Sequence, residues 1–240
     1  MSTSEEPVSR KCFMQMSGRV FSSVALLLPL LLRAAQTTST RGHADPRLTP
    51  LNWQAFLDLL SEAADSQQYK PWNQNAYVAR VSSLARAIDF DGPFLRGPTK
   101  PAGYEHPSFA EVENRQTFQI TLISFETGDR IPPHDHPGIT GVSACATGTV
   151  QVDSYTRLSS PDASGEFMVG RVARNRLAPG KTSAFTSTHA NIHQLHALSS
   201  SQIIDIFTPP YAGESLRKSR WYTLEPADPQ HNLFRAATCC

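Results

Sequence analysis

From Thr117 onward the hydrophobic period of the chain becomes two, and this limits the possible folds more than any other feature. Phe118, Ile120 and Leu122 alternate with polar residues, and Val150 and Val152 repeat the pattern within residues 149–155. Alternate side chains of an extended strand share a face, so each run predicts a strand with one apolar and one wet face. Further short runs predict strands over residues 167–172, 182–186, 191–197, 202–207 and 220–224, and Pro161, Gly165, Pro179-Gly180 and Ser199 to Ser201 mark the turns between them. Many short strands separated by turn signals predict an all-β barrel or jelly roll.

Upstream the period is helical. Thr49-Pro50 offers an N-cap and a first-turn proline, and Trp53, Phe56, Leu57, Leu59, Leu60 and Ala63 follow at helical spacing. A second helix is predicted from near Asn75, with Tyr77, Val78, Val81, Leu84 and Ile88 on one side. The pair is expected to pack outside the barrel and close one end. Residues 92–106, rich in glycine and proline, read as a loop. The first 46 residues stand apart. Val20 to Leu32 is apolar but shorter than the roughly 20 residues a membrane span needs, and Arg10, Lys11, Arg19 and Arg33 flank it. These are signal-peptide proportions, so export or membrane tethering is expected. The lack of acidic residues between Pro7 and Ala44 supports a mitochondrial transit peptide as the alternative. The predicted organisation is a leader (1–46), a helical extension (47–92), a β domain (93–228) and a C-terminal tail (229–240).

A chain of 240 residues with a formal charge of +1 can bury one good core and shows no basic field for nucleic acid, which is not expected as a partner. Membrane contact is expected only through the leader, and a monomer is expected because no apolar interface is evident. The basic run Arg171 to Arg176 reads as a solvated hairpin. Cys145, in a predicted strand, reads as a buried small hydrophobe.

The chemistry concentrates in His134-Asp135-His136, with His193 following 57 positions later in Asn191-Ile192-His193-Gln194. On a strand His134 and His136 would point the same way and Asp135 the other. An isolated pair of this kind is as often an ordinary pair of hydrogen-bonded histidines. With His193 the three imidazoles make a candidate metal site. Three neutral ligands leave the charge of a divalent ion uncompensated and several positions open, which suits an anionic sulfur and dioxygen.

The frame around these residues resembles the first motif of the cupins. Gly128 lies six residues before His134 and Gly148 twelve after His136, and Gly141 stands where most metal cupins have a glutamate ligand. Three runs then resemble, in order, signatures of the cysteamine dioxygenases and plant cysteine oxidases: Ile131 to Gly138, Asn191 to Gln194, and Ile204 to Tyr211. The matching core extends from about Thr117 to Pro226. The free-cysteine dioxygenases carry a cysteine at the position of Gly141, so their Cys–Tyr crosslink is not expected. Ser219-Arg220-Trp221-Tyr222 likewise replaces the cysteine-containing run of the animal cysteamine enzymes.

The resemblance implies a cupin fold (a double-stranded β-helix) carrying N-terminal helices, Fe(2+) held by His134, His136 and His193, and oxidation of a small aminothiol or an N-terminal cysteine peptide by O2 to the sulfinic acid. Asp205 interrupts an apolar run, where a buried carboxylate needs a partner, and the resemblance implies that it lies close to the active site and orients the substrate amine or a ligand histidine, with a purely structural hydrogen bond as the alternative. Tyr211 and Tyr222 are candidate phenolic donors to a bound thiolate or oxygen species. His196 faces away from the metal by strand parity. The competing class is a non-catalytic metal-binding cupin, a sensor or binding module, or a zinc-type cupin enzyme, since three histidines also suit zinc.

Overall fold

The computed structural model describes residues 50–91, 107–211 and 219–239. The leader and the 92–106 loop lie outside the described residues. Among the described residues no helix is long and apolar enough to cross a membrane.

The helices are α1 (Trp53–Asp65) and α2 (Gln74–Arg86). Asn52 rather than the Thr49-Pro50 pair caps α1: its side-chain oxygen accepts the Ala55 N–H at 2.9 Å, satisfying a donor that the first helical turn leaves free. Asn73 does the same for α2 at Ala76. The strands are β1 (Ser108–Asn114), β2 (Gln119–Phe125), β3 (Arg130–His134), β4 (Thr140–Thr147), β5 (Val150–Arg157), β6 (Phe167–Leu177), β7 (Thr182–Phe185), β8 (Ile192–Ala197), β9 (Ser201–Thr208), β10 (Tyr222–Asp228) and β11 (Leu233–Thr238). They form a five-stranded sheet, β1-β2-β9-β4-β7, and a six-stranded sheet, β10-β11-β6-β5-β8-β3. Ile123, Phe125, Cys145 and Ile203 from the first pack against Ile131, Val150, Val152 and Leu195 from the second. Two antiparallel sheets closed face to face in this order are the expected all-β cupin barrel.

Strand parity holds, but its wet face is turned inward. Phe118, Ile120 and Leu122 point out of the barrel and join Phe56, Leu60 and Val81 of the helices in one buried cluster, whereas Gln119 and Thr121 line an interior cavity. The helices supply the apolar partner that the β2 pattern demands. On β9 both faces are covered: Ile204 and Ile206 lie under the helices while Ile203 and Phe207 point inward, so this strand reads as a continuous apolar run. The helices therefore pack outside the barrel, as expected, but across the outer face of the five-stranded sheet and not over one end. Only the start of α2 reaches the rim. There Gln74 Oε1 accepts from Thr140 Oγ1 and the Ser187 N–H at 3.0 and 2.9 Å, and the Tyr77 hydroxyl meets Thr208 Oγ1 at 2.5 Å.

One further expectation is corrected. Half of the 229–240 tail is strand β11, paired with both β6 and β10; Ala236 is fully buried and packs with Tyr155, Phe167 and Tyr222. The basic run Arg171 to Arg176 lies, as expected, on a largely exposed arm of a hairpin, β6 paired antiparallel along β5, where Arg174 grips the buried Asp153 carboxylate with two donors at 2.6 and 2.9 Å. Cys145 is buried as expected, and burial pushes its thiol up to about 12.

Candidate metal centre

Sheet register sorts the barrel interior into rows. Across β7, β4, β9 and β2 one row reads Phe185, Gly141, Phe207 and Gln119. The next reads Ser183, Ser143, Asp205 and Thr121, and beyond it Cys145, Ile203 and Ile123 are apolar. On the facing sheet His134, His193 and Ser154 form one row, followed by Ile131, Leu195 and Val152. The histidines are thus held on rigid ladders, with one polar row of the opposite sheet beside them and apolar packing deeper in.

His136 does not sit on the strand with His134, as parity had suggested. The β3 ladder slips between Ile131 and His134, where Pro132 and Pro133 have no N–H to give, and β3 ends at His134. His136 lies in the following loop, fastened by Asn191: its Oδ1 accepts the His136 N–H at 2.9 Å, and its Nδ2 donates to the His136 and Thr186 carbonyls, both at 3.0 Å. Asp135 does point away. Its carboxylate accepts the Arg220 N–H at 2.7 Å and the Tyr222 hydroxyl at 2.6 Å, clasping the loop to the start of β10.

His134, His136 and His193 are all buried, and each offers a ring nitrogen within 4.8 Å of the others. His136 Nε2 and His193 Nε2 are 3.2 Å apart. The His134 Nδ1–H donates to the Pro132 carbonyl at 2.8 Å, which leaves its Nε2 lone pair free. His136 Nδ1 is 3.1 Å from the Tyr211 hydroxyl. Burial holds all three imidazoles below their ordinary pKa, and their mutual proximity depresses His136 further, so they are neutral at pH 7. Three converging neutral imidazoles, with the second nitrogens of His134 and His136 engaged elsewhere, fit a divalent transition-metal ion.

Beside them lies a cavity of about 290 Å³, lined by Ile131, Leu195, Phe207 and Trp221, by His134 and His136, and by Asp205, Tyr211, Gln119 and Thr121. Asp205 is buried on β9 facing this space. Ser143 hydrogen-bonds it, but its Oδ1 has no partner among the described residues, and burial pushes the carboxyl up to about 6. Tyr211 lines the cavity and hydrogen-bonds Ser219 as well as His136. Tyr222 does not line it. Its hydroxyl is committed to Asp135, behind the ligand loop, and burial followed by that carboxylate raises its pKa. His196 sits on the outer face of β8 opposite Arg130.

Two residues escaped sequence reasoning. Trp221 stacks on His134 at 4.8 Å and walls the cavity. Phe185 stacks on His136 at 5.0 Å. Both are aromatic residues of predicted strands, which periodicity assigns to core by default; only the bare Gly141 hinted that something large approaches there.

The chain is 24% identical to the 2-aminoethanethiol dioxygenase of Mus musculus over 145 residues, covering 51% of this chain and 57% of that protein. It is 26% identical to Plant cysteine oxidase 1 of Arabidopsis thaliana over 166 residues, 62% of this chain and 56% of that protein. It spans a little over half the length of these curated relatives. Among solved structures it resembles KdgF from Halomonas sp. with a TM-score of 0.34 at 19% identity, covering 47% of this chain and 86% of that one. The model of the family described as PCO_ADO matches residues 99–237, which include all three histidines and the cavity wall, and the chain belongs to that family.

Proposed function

We propose that this protein is an iron(II)-dependent thiol dioxygenase that converts a small aminothiol or an N-terminal cysteine to the sulfinic acid. The observation that carries the reading is the pairing of a three-histidine cluster with an unpartnered buried carboxylate oxygen, Asp205 Oδ1, in one cavity. Family membership and the relatives' names, a 2-aminoethanethiol dioxygenase and a plant cysteine oxidase, support it. A thiol and O2 combine without other reactants, since both oxygen atoms end on sulfur. The chemistry a ferrous ion supplies when held by His134, His136 and His193 is acidification of the thiol and electronic access to dioxygen.

The chain's own residues bind and orient. Asp205 offers its free oxygen to the substrate ammonium, exchanging an unsatisfied buried acceptor for a charge-assisted hydrogen bond. Trp221, Ile131, Leu195 and Phe207 keep water out. Tyr211 fixes the plane of His136 and presents its hydroxyl to the cavity. Among the described residues no Arg or Lys lines the cavity, so a carboxylate on the substrate would be desolvated beside Asp205 with no counter-ion from them.

The test is metal content after anaerobic purification, joined to oxygen uptake with cysteamine, a Cys-initiated peptide and free cysteine. Stoichiometric iron and sulfinate formation, detected by mass spectrometry and slowest with free cysteine, is expected. A zinc-loaded protein, or one that consumes no oxygen with any thiol, would overturn the reading.

A further inference from the structure

Residue 141 is the fourth-ligand position of the cupin frame, and its backbone does not require glycine, because its φ lies outside the left-handed region. Space does require it. A Cβ there would lie 2.4 and 2.6 Å from Cζ and Cε1 of Phe185, distances that real Cβ atoms do not show. Gly141 and Phe185 are direct cross-strand partners on β4 and β7. The Phe185 ring, itself buried, fills the place a side chain at 141 would take, stacks on His136 at 5.0 Å and 18°, and meets His193 at 5.1 Å. Phe207, the partner of Gly141 on the other side, packs on His136 at 5.3 Å. Neighbouring β4 residues Ser143 and Thr140 have hydroxyls, yet the position nearest the histidines presents only an aromatic face.

We propose that Phe185 sets the coordination of the metal centre: by occupying the space of the fourth protein ligand it keeps that side of the cluster closed to carboxylate and water. Exchangeable positions then open only toward the cavity of Asp205 and Trp221. Phe185 is a positioning residue in this scheme, since it touches ligands and not substrate, and the inference rests on the metal-centre reading above.

The experiment uses Co(II) in the metal-free full chain, read by titration and by the visible absorption of the ion. Four proteins are compared: wild type, Phe185→Ala, Gly141→Glu and the double variant Gly141→Glu/Phe185→Ala. The double variant, with room and a carboxylate, should bind Co(II) about tenfold more tightly than wild type, with the weaker bands of a higher coordination number, and should no longer change spectrum on adding cysteamine. Gly141→Glu alone should show neither gain, because the ring blocks the new side chain. Because that variant could fail to fold, Gly141→Ala is measured too: it should lower Tm in the wild-type background and leave it nearly unchanged in Phe185→Ala. Equal Co(II) affinity and spectra in wild type and a folded double variant, or additive Tm changes for Gly141→Ala and Phe185→Ala, would overturn the proposal while wild-type binding stands. Absence of Co(II) binding by wild type would overturn the metal-centre reading and this inference together.

Discussion

Asp205 is the residue at which stability and function oppose each other. Burial is the largest influence on its carboxyl, raising it from the usual 3.8 to about 6, and the Ser143 hydroxyl only partly compensates. A carboxyl whose folded pKa is raised keeps its proton in the native state after the unfolded chain has lost it. Stability therefore falls as pH climbs from about 4 to about 6 and stays reduced above that window. The shift is worth about 3 kcal/mol at neutral pH. In the metal-free protein Asp205→Asn should recover part of this, so urea unfolding at pH 8 should show a gain that shrinks toward zero at pH 4. The same variant should lose aminothiol turnover while retaining iron, since the amide offers no charge to the ammonium. A variant no more stable than wild type at pH 8 would mean that Asp205 has a partner in solution. In the parent protein, aminothiol affinity should weaken as pH falls through 6, because protonation removes the charge that receives the amine.

At the scale of elements, the ligand loop between β3 and β4 is held from two sides, by Asn191 from the segment before β8 and by Asp135 toward β10. The two tyrosines that sequence grouped together divide here. Tyr222 belongs to the clasp and Tyr211 to the cavity. Tyr222→Phe removes a donor from a buried carboxylate and should cost about 2 kcal/mol with little change in turnover per bound iron. Tyr211→Phe should leave Tm nearly unchanged and reduce turnover. Reversed outcomes in paired thermal melts and iron-normalised kinetics would exchange the roles. Sequence could not make this division, because which side of the loop a tyrosine reaches depends on the crossing of β10 behind β3, a contact between residues some 85 positions apart. Patterns local to the chain were legible: the helices and most strands. The slip of the ladder at Pro132-Pro133 and the strand in the last residues were not, since both are decided by partners distant in sequence.

The whole molecule separates scaffold from centre. Its three larger apolar clusters lie under the helices, between the sheets and at the β10–β11 hairpin, and a smaller fourth, Ile139, Phe185, Ala190 and Phe207, adjoins the three histidines. Folding should therefore not need the ion, unlike small domains whose core is the metal site. Binding still adds stability by mass action, about 2.7 kcal/mol when free metal exceeds its dissociation constant a hundredfold. For a chain of this size that corresponds to a rise in Tm of roughly 5–10 °C. Chelation of the purified protein should lower Tm by that amount while leaving the β-type circular dichroism spectrum intact. His193→Ala should fold to the same spectrum and show no Tm response to added iron, because two imidazoles, one of them on a loop, remain to hold a labile ion. Loss of structure on chelation would instead mean that the sheets depend on the ion to close. An undiminished Tm response in His193→Ala would place the ion elsewhere than among these three histidines.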